Sequence, residues 1–597
     1  MFRVIKPSYR RQIINILLLL TIPVLGLPVQ VEQSDSVLVK YGDKTLLEAD
    51  RVESADLEAL KKWLASPPKD VDVRADGSSL LGLPVKLVVS KTVAQRWKSE
   101  PNGLAALFAQ RLNKLLSNTT PEWDNSGKVV PLGESRVVSL SPFRAEDQIQ
   151  VTSDNPEVVE VKELGEGKFQ LRGLTSGRAS LSVSSSRSET IPSLPVSVQP
   201  WAARWGDGPR RLTFWGETKE SRIQESLARW LSARMVVGAK VDLEKVESKE
   251  GRAFKARATA EGALSVESTF NLEVESQAAA PLLPARTVFL SNHPERLVSD
   301  GILFERTAPA TPVRFMWHHR NEPGSDDRSL VIQLTNPTGV TRRMRMLWYS
   351  YGPSPDEIHV GHTAALDYAA AAVRGWGEEI VLPANGSRTV EIRSVKGGQT
   401  ASGMAYLADL SGAVGPVGVK VLASSGGGPL PTEPAVERDP GRTASGVFPA
   451  DIKIDASHLI GGPFTYLEFG GEPYEKDLDE GYPSYGNFGT VYRARLMLKN
   501  PSGEEQEAVV GFASGGGAAR GVLSLDGEVY NLPMGTSGEG LPVTKYRLAP
   551  GEVRQVDVEL FPQAGSNYPV RIVVKSDYSR LEKAEIEPVR ALRMAIP

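Results

Sequence analysis

The sequence predicts a mainly β, multidomain chain of β-sandwich modules, with small α+β units near the N-terminus. Length is the first reason: single hydrophobic cores rarely grow past roughly 250–300 residues, and the chain has 597. Composition is the second, since 55 Gly and 42 Pro exceed the usual shares of about 7% and 5% and favour short strands joined by turns. The third is a strand–turn–strand pattern that occurs twice in the second half.

In this pattern, an apolar run ends in Asn-Pro-x-Gly, and a Pro/Gly turn then leads into an alternating strand. The two copies read VIQLTNPTG (331–339) with LPANGSRTVEIR (382–393), and RARLMLKNPSG (493–503) with LAPGEVRQVDVEL (548–560). The number of residues between the Asn-Pro-x-Gly turn and the later Pro/Gly turn is nearly equal in the two copies. This indicates that one supersecondary arrangement is used twice. We therefore predict two β-sandwiches of similar topology, with Asn336 and Asn500 at equivalent strand ends. Their predicted bounds are 285–422 and 450–578.

The N-terminus has the pattern of an export signal. A basic stretch with Lys6, Arg10 and Arg11 precedes the uncharged apolar run 13–29. This predicts that the segment 1–27 is a signal peptide, with Gly26 as a plausible cleavage site, or alternatively an uncleaved N-terminal anchor. Charged residues interrupt every later apolar run, so we predict no transmembrane domain beyond this segment.

The cysteine count and the charge exclude several sites and partners. The chain contains no cysteine, so it has no disulfide, no thiolate metal site and no cysteine nucleophile. Together with the export signal, this favours an extracytoplasmic location: periplasm, cell surface or secreted. The formal net charge is -3, without a basic block, so nucleic acid is not a predicted partner.

Two segments are predicted to mix helices and strands. Residues 30–120 contain ADLEALKKWLA and LAALFAQRLNKLL at helical spacing, with LPVKLVVS as a strand between them, and predict a small α/β domain. Residues 200–280 contain the helical segment SRIQESLARWLSARMVV and four tryptophans, and predict an α+β unit. We expect the tryptophans to fill a core, with a sugar-stacking surface as the alternative.

Residues 128–199 carry the clearest resemblance to known modules. The segment has a Gly-x-Ser-x-x-Val opening, an Asn-Pro-x-Val-Val turn and a Gly-x-x-x-Gly-x-Ala-x-Leu-x-Val close. These correspond to Gly133, Ser135, Val138, Asn155, Pro156, Val158, Val159, Gly173, Gly177, Ala179, Leu181 and Val183. The segment resembles bacterial Ig-like group-two and pilus-assembly N-terminal modules. The resemblance implies a β-sandwich of the kind used in surface and envelope proteins.

The two repeats resemble generic extracytoplasmic Ig-like adhesion modules. The resemblance is carried by the turn residues Asn336, Pro337, Gly339 and Gly386 in the first copy and by Asn500, Pro501, Gly503, Pro550 and Gly551 in the second. Between them, residues 423–449 are predicted to be a Gly/Pro linker. Residues 579–597 are predicted to be a C-terminal tail.

The segment YEKDLDEGYPSYGNFGTVY (474–492) is the most site-like stretch of the chain. Its aromatic residues alternate with glycines and are predicted to contact a ligand such as a glycan: Tyr474, Tyr482, Tyr485, Phe488 and Tyr492. Its carboxylates Asp477, Asp479 and Glu480 are predicted to hold Ca²⁺. The alternative is a surface loop whose aromatic side chains pack under the sandwich.

A second metal hypothesis concerns His359 and His362. Five of the six histidines lie between 293 and 362. The spacing of His359 and His362 suits Zn²⁺ only on a helix or a bend, because on a strand the two side chains would point to opposite faces. The alternative is that both histidines form ordinary hydrogen bonds in a sandwich loop.

No residue is predicted to be catalytic, because neither Gly-x-Ser-x-Gly nor HExxH is present. The sequence predicts a structural or adhesive envelope protein that uses Ig-like modules as spacers and binding surfaces. Its expected partners are other envelope proteins or surface glycans, and no cofactor is expected beyond the Ca²⁺ or Zn²⁺ considered above. The alternative is a carbohydrate-active enzyme or glycan-binding protein with accessory sandwiches.

Overall fold

The computed structural model describes residues 121–576, together with 586, 589 and the backbone of five short strands nearer the N-terminus. Within 121–576 it omits 125–127, 142–147, 187–190, 249–250, 294, 413, 427–428, 437–444 and 536–539. The described part is mainly β, which confirms the predicted class. The chain forms two compact units, Met1–Pro200 and Trp201–Pro597. Apart from Leu20–Thr21, 586 and 589, the predicted export segment and C-terminal tail lie outside the described residues.

The strands that the structure describes within the first hundred residues form one sheet. Its strands are β1 (Leu20–Thr21), β2 (Pro28–Glu32), β3 (Ser36–Tyr41), β4 (Lys44–Asp50) and β5 (Lys86–Val88). They are ordered β1-β2-β5-β3-β4, and β5 lies within the predicted strand 83–90. The two helices predicted between 55 and 116 lie outside the described residues.

Residues 121–200 form a sandwich of two four-stranded sheets, ordered β10-β11-β8-β6 and β7-β13-β12-β9. The strands are β6 (Glu122–Trp123), β7 (Val129–Pro131), β8 (Ser135–Ser141), β9 (Gln150–Ser153), β10 (Val159–Gly165), β11 (Lys168–Gly173), β12 (Gly177–Ser184) and β13 (Leu194–Gln199). Alternation builds the core: in β11, Phe169 and Leu171 are buried, whereas Arg172 is exposed.

The second unit begins with an eleven-stranded sheet, here called the long sheet. The elements up to its last strand are β14 (Arg211–Trp215), α1 (Glu220–Ser232), β15 (Lys240–Val246), β16 (Arg252–Thr259), β17 (Val266–Gln277), β18 (Thr287–Ser291), β19 (Arg296–Leu297), β20 (Gly301–Ala308), β21 (Val313–Asn321), β22 (Arg328–Asn336), β23 (Arg342–Ser354), α2 (Glu357–Val373), β24 (Gly377–Leu382), β25 (Gly386–Val395), β26 (Thr400–Asp409), β27 (Val417–Ser424) and β28 (Gly446–Pro449). The main order is β15-β16-β17-β14-β24-β23-β26-β21-β18-β28, and β19 pairs with β21.

The long sheet crosses the predicted boundary between 280 and 285. Strand β14 pairs with β24 through Phe214 and Glu378, so the predicted α+β unit and the first repeat share backbone hydrogen bonds. In two independent modules, β14 and β24 would each be an edge strand with unpaired backbone N–H and C=O groups, and their pairing satisfies these groups. The predicted linker also ends in a strand, because β28 pairs with β18.

The first repeat is a sandwich between part of the long sheet and the sheet β20-β27-β22-β25. Its core contains an aromatic stack in which the ring of Trp317 lies 4.8 Å from that of Phe315 and 4.7 Å from that of Trp348. Phe315 and Trp317 alternate along β21 with Arg314, Met316 and His318, which occupy its other face.

The second repeat is a sandwich of the sheets β29-β31-β36-β33-β34 and β30-β37-β32-β35. Its strands are β29 (Asp451–Leu459), β30 (Thr465–Phe469), β31 (Val491–Lys499), β32 (Gln506–Ser514), β33 (Val522–Leu525), β34 (Glu528–Asn531), β35 (Leu541–Leu548), β36 (Val553–Leu560) and β37 (Val570–Lys575). Buried apolar side chains such as Leu496, Val510 and Ile572 fill the space between the sheets.

Six strands of the two repeats correspond in chain order and pairing. Strands β21 to β26 match β30, β31, β32, β35, β36 and β37, because each pair within the first set recurs in the second. The insertions differ: α2 separates β23 from β24, whereas the hairpin β33–β34 separates β32 from β35.

Asn336 and Asn500 lie at equivalent strand ends and make equivalent hydrogen bonds. Nδ2 of Asn336 donates to Val340 O (2.8 Å) and Pro383 O (2.9 Å), and its Oδ1 accepts from Thr338 N (3.1 Å). The bonds of Asn500 repeat this set with Glu504 O (2.7 Å), Ala549 O (3.0 Å) and Ser502 N (3.0 Å). Both side chains are buried. The repeated motif therefore joins two turns inside each sandwich.

The two repeats are joined through their insertions. Helix α2 packs against the long sheet on one side and against β33 and β34 on the other, and a single buried apolar cluster includes Met316, Tyr368, Val522 and Phe561. The contact is close, because a Cβ at Gly361 would lie 2.1 Å from the carbonyl oxygen of Ala564. The repeats thus share a core, which the prediction of two sandwiches did not include.

Candidate functional site

The aromatic segment 474–492 divides into buried and exposed parts. Tyr492 is 4% exposed, packs edge-on against Phe469, and its hydroxyl accepts hydrogen bonds from Gly470 N (2.9 Å) and Asn487 Nδ2 (2.7 Å). The prediction of ligand contact therefore needs correction at Tyr492, because its place in strand β31 directs the ring into the core. Phe488 is half-buried and packs edge-on against Tyr568.

The other three tyrosines remain accessible. Tyr482 and Tyr485 are 49% and 54% exposed, and the ring of Tyr485 packs edge-on against that of Tyr474 with centroids 5.2 Å apart. Ligand contact by these three side chains stays a prediction.

The acidic residues of this segment that are predicted to hold Ca²⁺ differ in their contacts. Asp477 is buried, and its carboxylate accepts hydrogen bonds from the backbone N–H groups of Val447 (2.6 Å), Asp479 (2.9 Å) and Glu480 (2.7 Å). Its oxygens are thus used in folding the turn. The Glu480 carboxylate lies 2.8 Å from the guanidinium of Arg306, and the Asp479 side chain is exposed. Most of the acceptor capacity of Asp477 is therefore used by the backbone, and Ca²⁺ binding by Asp477, Asp479 and Glu480 stays a prediction.

The helix that the histidine hypothesis requires is present, but the two rings have other contacts. His359 packs edge-on against Tyr351. His362 is 1% exposed, and its Nδ1 and Nε2 lie 3.0 Å from Gln563 Oε1 and 2.6 Å from Asn531 Oδ1. Burial lowers its pKa to about 4, so the ring is neutral. His362 therefore joins α2 to the second repeat, and the prediction of a metal at this pair is corrected.

A cleft of about 520 Å³ lies where α1 meets β14, β24 and β25, and we call it the arginine cleft. Its walls carry five arginines and three glutamates: Arg211, Arg229, Arg234, Arg343, Arg388, Glu275, Glu378 and Glu379. Arg222 holds α1 over the sheet, because it donates to Gly377 O (3.1 Å) and stacks on Trp376 (4.7 Å). Arginines therefore outnumber glutamates in the lining of the cleft, and Arg222 fixes the helix that forms one of its walls.

Three of the five arginines are paired with carboxylates. Arg343 binds Glu379 through two hydrogen bonds of 2.6 Å, and Arg211 lies 3.0 Å from Glu273. Arg229 contacts Glu378. The remaining two, Arg234 and Arg388, carry the charge that is left for a ligand.

Arg234 and Arg388 form no salt bridge with a carboxylate of the described residues. Arg234 donates to Trp230 O (2.9 Å), with its guanidinium 3.6 Å above the Trp230 ring, and Arg388 donates to Val381 O (3.0 Å). Burial lowers the pKa of Arg234 to about 10, and the charge of Arg388 adds to this effect. Burial also lowers the pKa of Arg388, whereas the charge of Glu378 raises it. Glu378 therefore offsets part of the positive charge at Arg388, and the repulsion between Arg234 and Arg388 favours a further anion in the cleft.

Glu225 lies behind the cleft, in a cavity of about 30 Å³ that it shares with Arg229, Tyr349 and Glu378. Burial raises its pKa to about 7; Arg229 opposes this shift and Glu378 adds to it. Such a cavity holds about one or two waters. The cavity borders the cleft, because Ser226, Arg229, Met346 and Glu378 line both of them.

Replacing Glu225 by Gln is expected to stabilise the protein above pH 7. The folded-state pKa of about 7 exceeds the ordinary value of 4.5, so the folded state holds its proton more tightly. Stability is therefore lost as pH rises through this window. Gln cannot ionise, so the Tm advantage of the variant should vanish near pH 4.5. Thermal melts from pH 4.5 to 8 would measure it. A Tm difference that is constant with pH would contradict the assignment.

The sequence did not predict the arginine cleft. Arg234 directly follows α1, whereas Arg388 lies in the strand after the first repeat's turn, so only the fold brings them together. One signal was available: Trp230 belongs to the tryptophan cluster for which a sugar-stacking surface was the alternative. Trp205 and Trp215 are buried, whereas Trp230 reaches the cleft wall.

Among the residues that the structure describes, neither helix combines the length and apolar character of a membrane span.

No protein-family profile and no curated protein matches this sequence. Solved structures match with low scores. One of them is a gamma-CGTase from alkalophilic Bacillus clarkii, with a TM-score of 0.12 and 11% identity over 27% of this chain and 27% of that one. The SGBP-B protein of the Bacteroides ovatus mixed-linkage glucan utilization locus, in complex with a heptasaccharide, has a TM-score of 0.13 and 8% identity over 54% of this chain and 77% of that one.

A Ca²⁺-stabilized adhesin, with which an Antarctic bacterium binds ice, has a TM-score of 0.12 and 11% identity over 74% of this chain and 90% of that one. TM-scores this low assign neither fold nor function. What can be concluded about the site therefore rests on the geometry of this chain.

Proposed function

We propose that the chain is an extracytoplasmic structural or adhesive protein that binds acidic glycans in the arginine cleft, with its Ig-like sandwiches as spacers. One observation carries the proposal: Arg234 and Arg388 line the same cleft, and neither forms a salt bridge with a carboxylate of the described residues. The predicted export segment and the absence of cysteine support the location. Envelope proteins remain further predicted partners.

The chemistry of the cleft suits a saccharide that bears carboxylate or sulfate groups. A guanidinium donates two parallel hydrogen bonds to such an anion, and these are stronger than neutral hydrogen bonds. The volume of about 520 Å³ falls within the range of about 300–1,000 Å³ that is usual for ligand pockets. The half-buried Thr389 in the wall accepts a hydrogen bond from Gln333 and keeps a hydroxyl proton that it can donate to a sugar.

The geometry favours binding over glycoside hydrolysis. A glycosidase needs two carboxyl groups on either side of the bond that is cleaved, and one must be protonated. Glu225 has the raised pKa, but it lies in the cavity of about 30 Å³. Glu378 and Glu379 are held by Arg229 and Arg343. The exposed Tyr482 and Tyr485, with the half-buried Tyr474, remain a second predicted contact for a glycan.

Replacing Arg388 or Arg234 by Gln is expected to weaken binding of an oligogalacturonate at least about tenfold, since hydrogen bonds to charged groups contribute about 1.5–3 kcal/mol. Binding to the intact protein would be measured by titration calorimetry, with neutral galacto-oligosaccharide as the comparison ligand. The affinity for the acidic ligand should also fall with added salt.

Arg210→Gln is the matched control, because this exposed arginine lies next to the cleft but outside its lining. It should bind like the wild type. Equal binding of the neutral oligosaccharide, or unchanged affinity in both cleft variants, would refute the proposal.

A further inference from the structure

Three side chains from distant parts of the second unit converge at the end of β21. They are Glu295 in the loop after β18, His318 in β21 and Glu357 in the first turn of α2, and one ligand atom of each lies within 4.8 Å of the others. Strand alternation directs His318 towards α2, whereas its neighbour Trp317 points into the sandwich core. The three residues therefore meet because α2 packs on the face of the long sheet that carries His318.

His318 is 3% exposed, and its Nδ1 has no hydrogen-bond partner among the described residues. The residue opposite it on β26 does not supply one, because the Ser402 hydroxyl donates to Trp317 O at 2.9 Å. Buried polar atoms in folded proteins normally have a partner, and an unpartnered one calls for an explanation such as a bound ion. This observation is independent of the two carboxylates.

The charges around the group leave room for a cation. Arg320 contacts one oxygen of Glu357, and a carboxylate has a second oxygen that can accept another partner. Glu357 can therefore still offer an oxygen atom to a metal ion beside the His318 ring.

We propose that Glu295, His318 and Glu357 bind a divalent transition-metal ion, best matched by Zn²⁺, which connects the first turn of α2 to the end of β21. An imidazole nitrogen with two carboxylate oxygens is a donor set that Zn²⁺ accepts, whereas Ca²⁺ and Mg²⁺ prefer oxygen ligands alone. Three protein ligands leave a fourth position for water. The proposal does not depend on the arginine cleft.

The test uses the full chain stripped of metal with EDTA and then titrated with Zn²⁺ alone. We expect one ion per chain by calorimetry and a rise in Tm, because an ion that binds only the folded state stabilises it. Co²⁺ in place of Zn²⁺ should give the visible d–d absorption of a four-coordinate site, with three protein ligands and one water. Glu295→Gln, at an exposed loop position, should weaken Zn²⁺ binding at least about tenfold, and the Tm of each protein in EDTA is its own metal-free reference.

Glu305→Gln is the control, since this exposed glutamate on β20 lies outside the group. It should keep the Zn²⁺ affinity of the wild type. The proposal is overturned if Zn²⁺ leaves the Tm of the wild type unchanged. It is equally overturned if Glu295→Gln and Glu305→Gln respond to Zn²⁺ alike, because the bound ion would then lie elsewhere.

Discussion

Replacing Asn500 by Ala is expected to lower the free energy of unfolding of the second repeat by about 3–4 kcal/mol, since a buried acceptor without its donor costs about 1–3 kcal/mol. Nδ2 of Asn500 serves the carbonyls of Glu504, Leu548 and Ala549 at 2.7–3.1 Å. The Ala variant removes all of these bonds and the acceptor for Ser502. Asn336→Ala should do the same in the first repeat.

All ten tryptophans precede residue 377, so Trp fluorescence does not report directly on the second repeat. Scanning calorimetry of the intact chain is therefore the measurement. Ser502→Ala is the control and should cost about 1 kcal/mol or less, because it removes only hydroxyl bonds at the turn. Asn500→Asp keeps the size but turns a carboxylate oxygen towards three carbonyls. If that variant is as stable as the wild type, the Asn does not fix the turns.

Replacing Gly361 by Ala is expected to destabilise the joined repeats by about 1–3 kcal/mol, the usual cost of overpacking. The added Cβ would lie 2.1 Å from the carbonyl oxygen of Ala564, which is backbone and cannot rotate away. In an isolated helix the same change is favourable by about 1 kcal/mol. A loss of stability therefore measures the contact between α2 and the second repeat.

Calorimetry should show the melting of the repeats shifted down or split into two transitions in the Gly361 variant. Gly503→Ala is the control, because its Cβ would meet nothing within 4 Å; we expect little change or a small gain. A Gly361 variant at least as stable as the wild type would show that the repeats do not depend on this contact.

Local chemistry explains which predictions from the sequence agree with the structure. The Asn-Pro-x-Gly turns act over a few residues, because the Asn side chain bonds the backbone two residues further on. The two copies were therefore recognisable without knowledge of the fold. The alternation of apolar residues likewise predicts the buried face of a strand such as β11.

The alternation of apolar and polar residues along a strand does not show which other segment packs against each face. The differences between prediction and structure at Tyr492 and Asp477 have this cause. Tyr492 belongs to a strand whose neighbours enclose its ring, whereas Tyr482 and Tyr485 lie in the preceding loop and stay exposed. Aspartate is a residue type that binds metal ions, but in the folded chain the carboxylate of Asp477 accepts a hydrogen bond from the backbone N–H of Val447. Each outcome depends on a partner far away in the chain.

The sequence by itself determined the β class, the paired repeat and the two turns that Asn336 and Asn500 hold together, because these follow from composition, period and short-range hydrogen bonds. Only the tertiary structure decided that the repeats share a core, that Arg234 meets Arg388, and that His318 faces Glu295 and Glu357. The physical reason is range: strand pairing and helix packing join segments that lie far apart in the chain, and no local pattern records which segments these are.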